Sequence, residues 1–328
     1  MDKRNQYYIA YNALPESVEV VEPVKPAIET VKQVLFKPFD LGKWFVIGFC
    51  AWLAMLGQAS FQFNFRSFDT RTSGHPMFQM PPWLVNNLPM IIMLSVGILI
   101  FSVAVSILIL WLSSRGWFMF LYCTANNKSQ VTHPWKVFRP HGNSLFLFRL
   151  VLGLICFVVT LVLVGSLSIP IFMLHRAGSV FTGLGILLIV LASVILLVIT
   201  ITFAVIIKFT TDFVVPIMYI RNCTCMDAWK EFDCLLRRYK TGFFLYILFQ
   251  FVIAICIAAI IFASVILTCC CSVCLFSIPY VSTVVLLPIL MFKMAYGLHF
   301  LKQFGPFYNV FASPESESAQ MAVQEDPD

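Results

Sequence analysis

Charged residues are scarce in this 328-residue chain, in which Asp, Glu, Lys and Arg together make up 12%. That is about half of the roughly 25% typical of soluble domains. Hydrophobic residues account for 60%, and the mean hydropathy is +0.88. Several apolar runs exceed about 20 residues, the length that a helix needs to cross a bilayer. These values exclude a soluble globular protein and predict a polytopic membrane protein.

Motifs of known catalytic chemistry are also missing. The chain has no H-E-x-x-H, no G-x-x-x-x-G-K-S/T and no G-x-S-x-G, which are typical of zinc peptidases, phosphate-binding loops and serine hydrolases. His175-Arg176-Ala177-Gly178 superficially resembles the His-Arg-Gly of phosphodiesterase barrels. A metal-assisted hydrolase needs several carboxylates around its ion, and the predicted outer side offers only Asp69. We therefore expect no enzymatic activity, no cofactor and no metal.

Six apolar segments predict transmembrane helices, near residues 42–60, 89–112, 146–174, 183–207, 243–268 and 276–300. When the 22 basic residues are assigned to the intervening segments, 19 fall on one side of the membrane and three on the other. Cytoplasmic loops carry the excess of Lys and Arg. This division places both termini in the cytoplasm.

Three regions follow from this pattern. A disordered cytoplasmic segment is expected at 1–26, the six-helix transmembrane domain at 27–310, and an acidic, disordered tail at 311–328. Low hydrophobicity and a high density of charge are the features that favour disorder in the tail.

The spans are predicted to form three repeated two-helix units, each preceded by a cytoplasmic amphipathic helix. Ala27–Phe39 has Ile28, Val31, Leu35 and Phe39 on one helical face, which is typical of a helix lying on the membrane. Similar W-K-x-F sequences stand before the third and fifth spans, at Trp135–Phe138 and Trp229–Phe232. The even spans extend beyond the bilayer, with polar breaks predicted at Ser113–Gly116, Lys208–Asp212 and Lys302–Pro306.

Three stretches carry a resemblance to a known family. They are Phe36–Phe45 (FKPFDLGKWF), Asp212–Pro216 (DFVVP) and Asp227–Phe232 (DAWKEF). They resemble uncharacterised bacterial six-span integral membrane proteins, which are similar to the membrane region of some glycerophosphodiester phosphodiesterases. The resemblance implies a six-helix architecture and a multi-pass location in the bacterial inner membrane. It implies no catalytic residues, because the catalytic domain is absent.

Ionisable residues within spans are rare and often functional. Lys293 is predicted to pair with Asp212 in a polar layer on the cytoplasmic side, with Arg115 beside them and Gln250 contributing a hydrogen bond. The alternative is that Lys293 extends its ammonium to the inner interface without a partner.

Seven of the eleven cysteines form two groups. Cys223, Cys225 and Cys234 are predicted in a cytoplasmic loop, and Cys269, Cys270, Cys271 and Cys274 in an outer turn. Neither group has the paired ligand spacing of a zinc site. A disulfide between Cys271 and Cys274 stays an open alternative.

Basic residues near the first span predict contact with lipid. Lys32, Lys37 and Lys43 lie beside the amphipathic helix, and Trp44 stands at the start of the span, where aromatic residues often mark the interface. These features favour a non-enzymatic membrane protein that organises lipid or partner proteins at the cytoplasmic face. The alternative is a transporter or flippase-like carrier for a small or lipid-like substrate. The expected partners are membrane lipid, with partner membrane proteins or further copies of the chain left open, and no nucleic acid.

Overall fold

The computed structural model describes residues 18–59, 87–129, 131–176, 183–267 and 278–311. Within these ranges the chain is helical and contains no β-strand, which confirms the predicted all-α class. The Cys269–Cys274 turn lies outside them.

The helices are numbered along the chain as α1 (Val24–Val31), α2 (Leu41–Ala59), α3 (Leu88–Asn126), α4 (Thr132–Val137), α5 (Arg139–Arg176), α6 (Gly183–Phe209), α7 (Val215–Arg221), α8 (Cys225–Arg238), α9 (Lys240–Leu267), α10 (Pro279–Val285) and α11 (Leu287–Lys302). Two π-helical turns interrupt the regular geometry. Lys32–Phe36 extends α1, and Thr210–Val214 joins α6 to α7. A 3-10 turn follows α11 at Pro306–Tyr308.

Four stretches of helix in the described ranges are long and apolar enough to cross a membrane: Pro89–Asn126, Arg139–Ser166, Val190–Arg221 and Lys240–Ser264. In the most apolar part of each, at most 11% of the residues are buried inside the protein. Side chains this apolar need a solvent as apolar as they are, which a bilayer provides. The chain is therefore an α-helical membrane protein. Leu41–Leu56, within α2, is a shorter apolar helix.

Helix α3 passes through Ser113–Gly116 without interruption, so the break predicted there is wrong. Its 39 residues correspond to about 58 Å at 1.5 Å per residue, against about 30 Å of hydrocarbon. The polar side chains that suggested a break have hydrogen-bond partners within the packed helices. The Ser113 hydroxyl donates to the carbonyl of Ala54 on α2, at 2.7 Å, and the Ser114 hydroxyl donates to the carbonyl of Leu110, at 2.8 Å.

The last predicted span consists of two helices, α10 and α11, that meet at Leu286. Pro288 lies in the first turn of α11, where its missing N–H leaves no helical hydrogen bond unmade. The chain can therefore start a new helix here at little cost.

The first amphipathic helix packs differently from the prediction. Of the face predicted to lie on the membrane, Val31 and Leu35 are buried in the protein core, whereas Ile28 and Phe39 are exposed. Phe39 lies beyond the π-helical turn, which ends at Phe36. The helix contacts α11, and the Thr30 hydroxyl lies 2.9 Å from Nε2 of His299 on that helix. Much of the predicted lipid-facing stripe is thus used for tertiary packing.

The N-terminal boundary also differs from the prediction, because α1 begins at Val24. Just before it, the N–H of Glu19 donates to the side-chain oxygen of Gln303, and the Gln303 amide donates back to the Glu19 carbonyl. Tyr296 donates to the carbonyl of Val20 at 2.8 Å. These bonds hold residues 19–20 against α11.

The protein core lies at one end of the long helices. Among the residues whose burial the structure describes, the buried hydrophobic residues of α3 all follow Leu112, and those of α6 and α7 all follow Ile207. Those of α5 precede Leu147, and those of α9 precede Phe251. The remaining turns of these helices expose large apolar residues such as Phe101, Leu161, Leu197 and Phe262. The described chain therefore has a packed end, to which α1, α8 and α11 contribute, and an end whose helices expose apolar side chains.

We predict that Gly116→Ala destabilises the contact between α2 and α3. A Cβ atom at this position would lie 2.5 Å from the backbone nitrogen of Ala54 and 2.6 Å from the carbonyl carbon of Leu53, so the two helices must separate. Overpacking of this kind costs about 1–3 kcal/mol, and we expect a lower Tm in detergent. Gly97→Ala on the same helix is the control, because nothing lies within 4 Å of its added Cβ. An unchanged Tm for Gly116→Ala would contradict the described packing.

Candidate functional site

A buried polar network forms at the π-helical turn Thr210–Val214. Asp212 lies in this turn, and its carboxylate forms an ion pair with Lys208 on α6, with 2.7 Å between Oδ2 and Nζ. The Tyr246 hydroxyl on α9 donates to the same Oδ2 at 2.9 Å, and the Gln250 amide donates to the Tyr246 hydroxyl at 3.0 Å. We call Lys208, Asp212, Tyr246 and Gln250 the polar network. Tyr246 and Gln250 are buried, so they depend on these partners for their hydrogen bonds.

Thr211 of the π-helical turn contacts α5. Thr211 bonds back to the carbonyl of Ile207, and its hydroxyl also accepts a hydrogen bond from the Arg149 guanidinium at 3.1 Å. Single π-helical turns of this kind are frequent at functional sites. The turn therefore joins α5, α6 and α9 through polar contacts.

Helix α11 approaches the polar network at a glycine. A Cβ atom added to Gly297 would lie 3.4 Å from the Tyr246 hydroxyl and 3.6 Å from the carbonyl oxygen of Asp212. Lys293, one turn earlier on α11, interacts electrostatically with both Asp212 and Lys208. The close ion pair of Asp212 is nevertheless with Lys208. The structure thus brings Lys293 near Asp212, as a second cation beside the network.

Arg115 lies in a different cluster from Asp212. Its guanidinium is 4.1 Å from the ring centre of Trp111 and 4.9 Å from that of Trp135, and it donates to the Asn143 side chain at 3.1 Å. Gly142 allows this approach, because a Cβ atom there would lie 2.7 Å from Cγ of Arg115. Arg115 on α3 consequently contacts α4 through a cation–π interaction with Trp135 and α5 through its hydrogen bond to Asn143.

An aromatic cluster surrounds the polar network. Phe213 stacks on Phe232 with 5.4 Å between ring centres, and it lies 4.9 Å from Tyr246. Phe243 stacks on Phe304 at 5.4 Å. We call the following residues the aromatic cluster: Phe209, Phe213, Phe232, Phe243, Tyr246, Phe300 and Phe304. Such ring pairs add about 0.5–1.5 kcal/mol each beyond the burial of their area.

A second ionic contact in the packed end lies between α7 and α8. Arg221 donates through Nε and Nη2 to one carboxylate oxygen of Glu231, at 3.2 and 3.1 Å. The Tyr308 hydroxyl donates to the same oxygen at 2.8 Å. Burial and the nearby Glu231 carboxylate raise the pKa of Tyr308, so its hydroxyl keeps the proton that it donates. This contact joins α7, α8 and the 3-10 turn.

The cysteines before and within α8 have unequal surroundings. Burial raises the pKa of Cys225 to about 12, which keeps its thiol protonated and weakly nucleophilic. Burial also raises the pKa of Cys223, whereas Cys234 is exposed. In the part of the chain that the structure describes, no group of three or more His, Cys, Asp and Glu side chains is placed to hold a metal ion.

The four residues predicted to contact lipid fall into two pairs. Lys32 and Lys37 are exposed. Lys43 donates to the Asn127 side chain at 2.6 Å, and the Trp44 indole donates to the carbonyl of Val284 at 3.0 Å. Lys32 and Lys37 are therefore available to lipid headgroups, while Lys43 and Trp44 also hold the start of α2 against its neighbours.

Sequence reasoning found Asp212 and Gln250 but missed Tyr246, which joins them. A signal was present, because Lys208 and Asp212, and likewise Tyr246 and Gln250, are four residues apart and share a helical face. The sequence does not show that α6 and α9 bring these two pairs together, because their proximity depends on the packing of the aromatic cluster.

We predict that Asp212 is coupled more strongly to Tyr246 than to Lys208. A buried hydrogen bond to a charged group contributes about 1.5–3 kcal/mol, whereas Lys208 is 41% exposed and a screened ion pair contributes about 0.5 kcal/mol. Double-mutant cycles combining Asp212→Asn with Tyr246→Phe, Lys208→Met or Lys293→Met, with unfolding measured in mixed micelles, give the three couplings. A larger coupling to Lys293 than to Tyr246 would instead favour the pair predicted from the sequence.

Comparison with known protein families gives a match over most of the chain. A family described as a family of unknown function, DUF7544, matches residues 18–305. No curated protein and no solved structure matches the chain. The matched range includes α1 to α11, and with them the polar network and the aromatic cluster. The chain therefore belongs to this family of unknown function.

Proposed function

We propose that this protein is a non-enzymatic multi-pass protein of the bacterial inner membrane that organises anionic lipid, or partner proteins, at the cytoplasmic face. One observation carries the proposal. The segment that leads from α1 into α2 exposes apolar rings close in sequence to exposed lysines, which is the composition of a segment that sits at a lipid interface.

The exposed rings lie between α1 and the first turns of α2. Phe36, Phe39 and Phe45 are 47%, 58% and 49% exposed, and Leu41 is 60% exposed. Lys32 and Lys37 are exposed beside them. Rings enter the boundary between headgroups and acyl chains, and each Lys near an anionic surface adds about 1 kcal/mol of attraction. We call Lys32, Phe36, Lys37, Phe39 and Leu41 the interfacial corner.

The order of the helices supports the six-span, three-repeat part of the proposal. A short helix precedes a long one at α1–α2, at α4–α5 and at α8–α9, and a further helix or helix pair follows in each case. In this arrangement α2, α3, α5, α6, α9 and the pair α10–α11 are the six spans. Each of the three short helices then lies at the cytoplasmic surface, where the basic residues concentrate.

Reversal of charge at the interfacial corner tests this function. In liposomes that contain fluorescent phosphatidylglycerol, energy transfer from labelled wild-type protein should report an excess of this anionic lipid around the chain. Lys32→Glu with Lys37→Glu should abolish the excess, because attraction at two positions becomes repulsion. The Tm should change little, since both side chains are exposed.

The matched control is Lys128→Glu with Lys136→Glu, which makes the same charge change at two exposed lysines near α4. We expect this control to retain most of the lipid excess. Equal enrichment in wild type and in the Lys32, Lys37 variant would contradict the proposed role.

A carrier is the second candidate function, and the polar network favours it. Asp212 is a mostly buried carboxylate in a π-helical interruption of a candidate span, and transporters place ion or substrate sites at such interruptions. The measurement is flux of fluorescent phospholipid across proteoliposome membranes, with dithionite quenching. If Asp212→Asn stops this flux and the Lys32, Lys37 variant retains it, the protein is a carrier and the organising role is rejected.

The proposed orientation predicts when Cys234 is labelled. In a variant with Ser at Cys269, Cys270, Cys271 and Cys274, a membrane-impermeant maleimide should label spheroplasts only after permeabilisation, because the exposed Cys234 faces the cytoplasm. Cys234→Ser in the same background is the control and should remove this signal. Labelling of Cys234 without permeabilisation would invert the topology.

A further inference from the structure

A polar cavity of about 330 Å³ opens between α1, the end of α3 and α11. This volume is at the lower end of the roughly 300–1,000 Å³ typical of ligand pockets, so the cavity suits a small chemical group. Among the described residues that line it there is one carboxylate and no Lys or Arg. The residues that matter for its chemistry are Glu29, Thr30, Gln33, Asn127, His299 and Phe311.

Glu29 supplies the negative charge of the cavity. Its side chain is exposed, and no Lys, Arg or His of the described chain forms an ion pair with it. Lys43 contacts the edge of the cavity, where it donates to the side-chain oxygen of Asn127 at 2.6 Å. The Glu29 carboxylate is therefore available to a cation that the described chain does not itself provide.

The contact between Thr30 and His299 fixes which nitrogen of the imidazole can accept a hydrogen bond. The Thr30 hydroxyl donates its one proton to the carbonyl of Pro26 at 3.0 Å. Its oxygen also lies 2.9 Å from Nε2 of His299, so the ring nitrogen is the donor in that contact. In the neutral ring Nδ1 is then an acceptor. Phe311 stacks on the imidazole with 4.7 Å between ring centres, which holds the plane of the ring.

These groups favour a primary ammonium over other cations. An ammonium group has three N–H donors, and the cavity offers acceptors on Glu29, Gln33 and His299. A metal ion is served less well, because no group of three or more His, Cys, Asp and Glu in the described ranges is placed to hold one. A quaternary ammonium favours a cage of aromatic rings, whereas Phe311 is the one Phe, Tyr or Trp among the described lining residues.

We propose that this cavity binds one primary ammonium group, with Glu29 as its counter-ion and Gln33 and His299 as further acceptors. The group belongs either to the ethanolamine headgroup of a phospholipid or to a small soluble amine. The binding does not depend on the proposed organising role, because neither Lys32 nor Lys37 is among the described lining residues.

Calorimetric titration of the full-length protein in detergent tests the site. Dioctanoyl phosphatidylethanolamine and ethanolamine are titrated separately, and at least one of them should bind saturably with a stoichiometry of one. Glu29→Gln should weaken this binding by at least about tenfold, the effect of losing one hydrogen bond to a charged group. Glu29→Asp should weaken it less, because the shorter side chain keeps the charge.

Two controls separate the site from general attraction between charges. Glu22→Gln removes an exposed carboxylate just before α1, and it should leave the affinity within about twofold of wild type, because salt screens a distant exposed charge. Dioctanoyl phosphatidylcholine and choline carry the same charge without an N–H to donate, and neither should bind saturably. The Tm of Glu29→Gln should stay close to that of wild type, since the side chain is exposed.

Three outcomes would overturn the proposal. They are the absence of saturable binding for both amines, equal binding of the choline compounds, and equal weakening by Glu22→Gln and Glu29→Gln. Tighter binding of phosphatidylethanolamine than of ethanolamine would assign the ammonium group to a lipid headgroup, and the reverse order would assign it to a soluble amine. Amine binding should persist in the Lys32, Lys37 variant, so the failure of either proposal leaves the other standing.

Discussion

Phe213 contacts aromatic rings from α6, α8, α9 and α11, and the other contacts of the packed end depend on this meeting point. Lipid is as apolar as the side chains in the spans, so burial of apolar surface does not drive helices together within a bilayer. Close packing of aromatic rings can hold the helices together at the packed end. The π-helical turn matters for the same reason, because it lies in the chain where α6 reaches this cluster and it contains Phe213 itself.

Tyr246 belongs to both the aromatic cluster and the polar network, and it therefore connects the two. Its ring packs against Phe213 and stacks on Tyr296, while its hydroxyl joins Asp212 to Gln250. A buried carboxylate is costly unless it is paired and hydrogen-bonded. The rings therefore place the donor that Asp212 needs, and Asp212 in turn fixes the rotation of α9 relative to α6.

The packed end and the exposed turns of the long helices differ in how they can interact with lipid. The exposed turns of α3, α5, α6 and α9 present apolar side chains on most faces, and such surfaces select no particular lipid. Selectivity for a headgroup requires charge, and exposed lysines occur at the interfacial corner. The proposed organising role thus lies at the interfacial corner and not along the exposed apolar turns.

The sequence by itself determined that the chain is helical and embedded in a membrane, because long apolar runs with few charges leave no other stable state. It also identified Asp212 and Gln250, since a polar group in an apolar run is conspicuous. It did not determine that α3 continues through Ser113–Gly116, because only the carbonyl of Ala54 on a neighbouring helix supplies the partner for Ser113. Only the tertiary structure decided that Lys208 is the close ionic partner of Asp212, that Tyr246 joins Asp212 to Gln250, and that Arg115 contacts two tryptophans. These contacts depend on the relative rotation of whole helices, which the packing of the aromatic rings sets and which the spacing of residues along one helix does not contain.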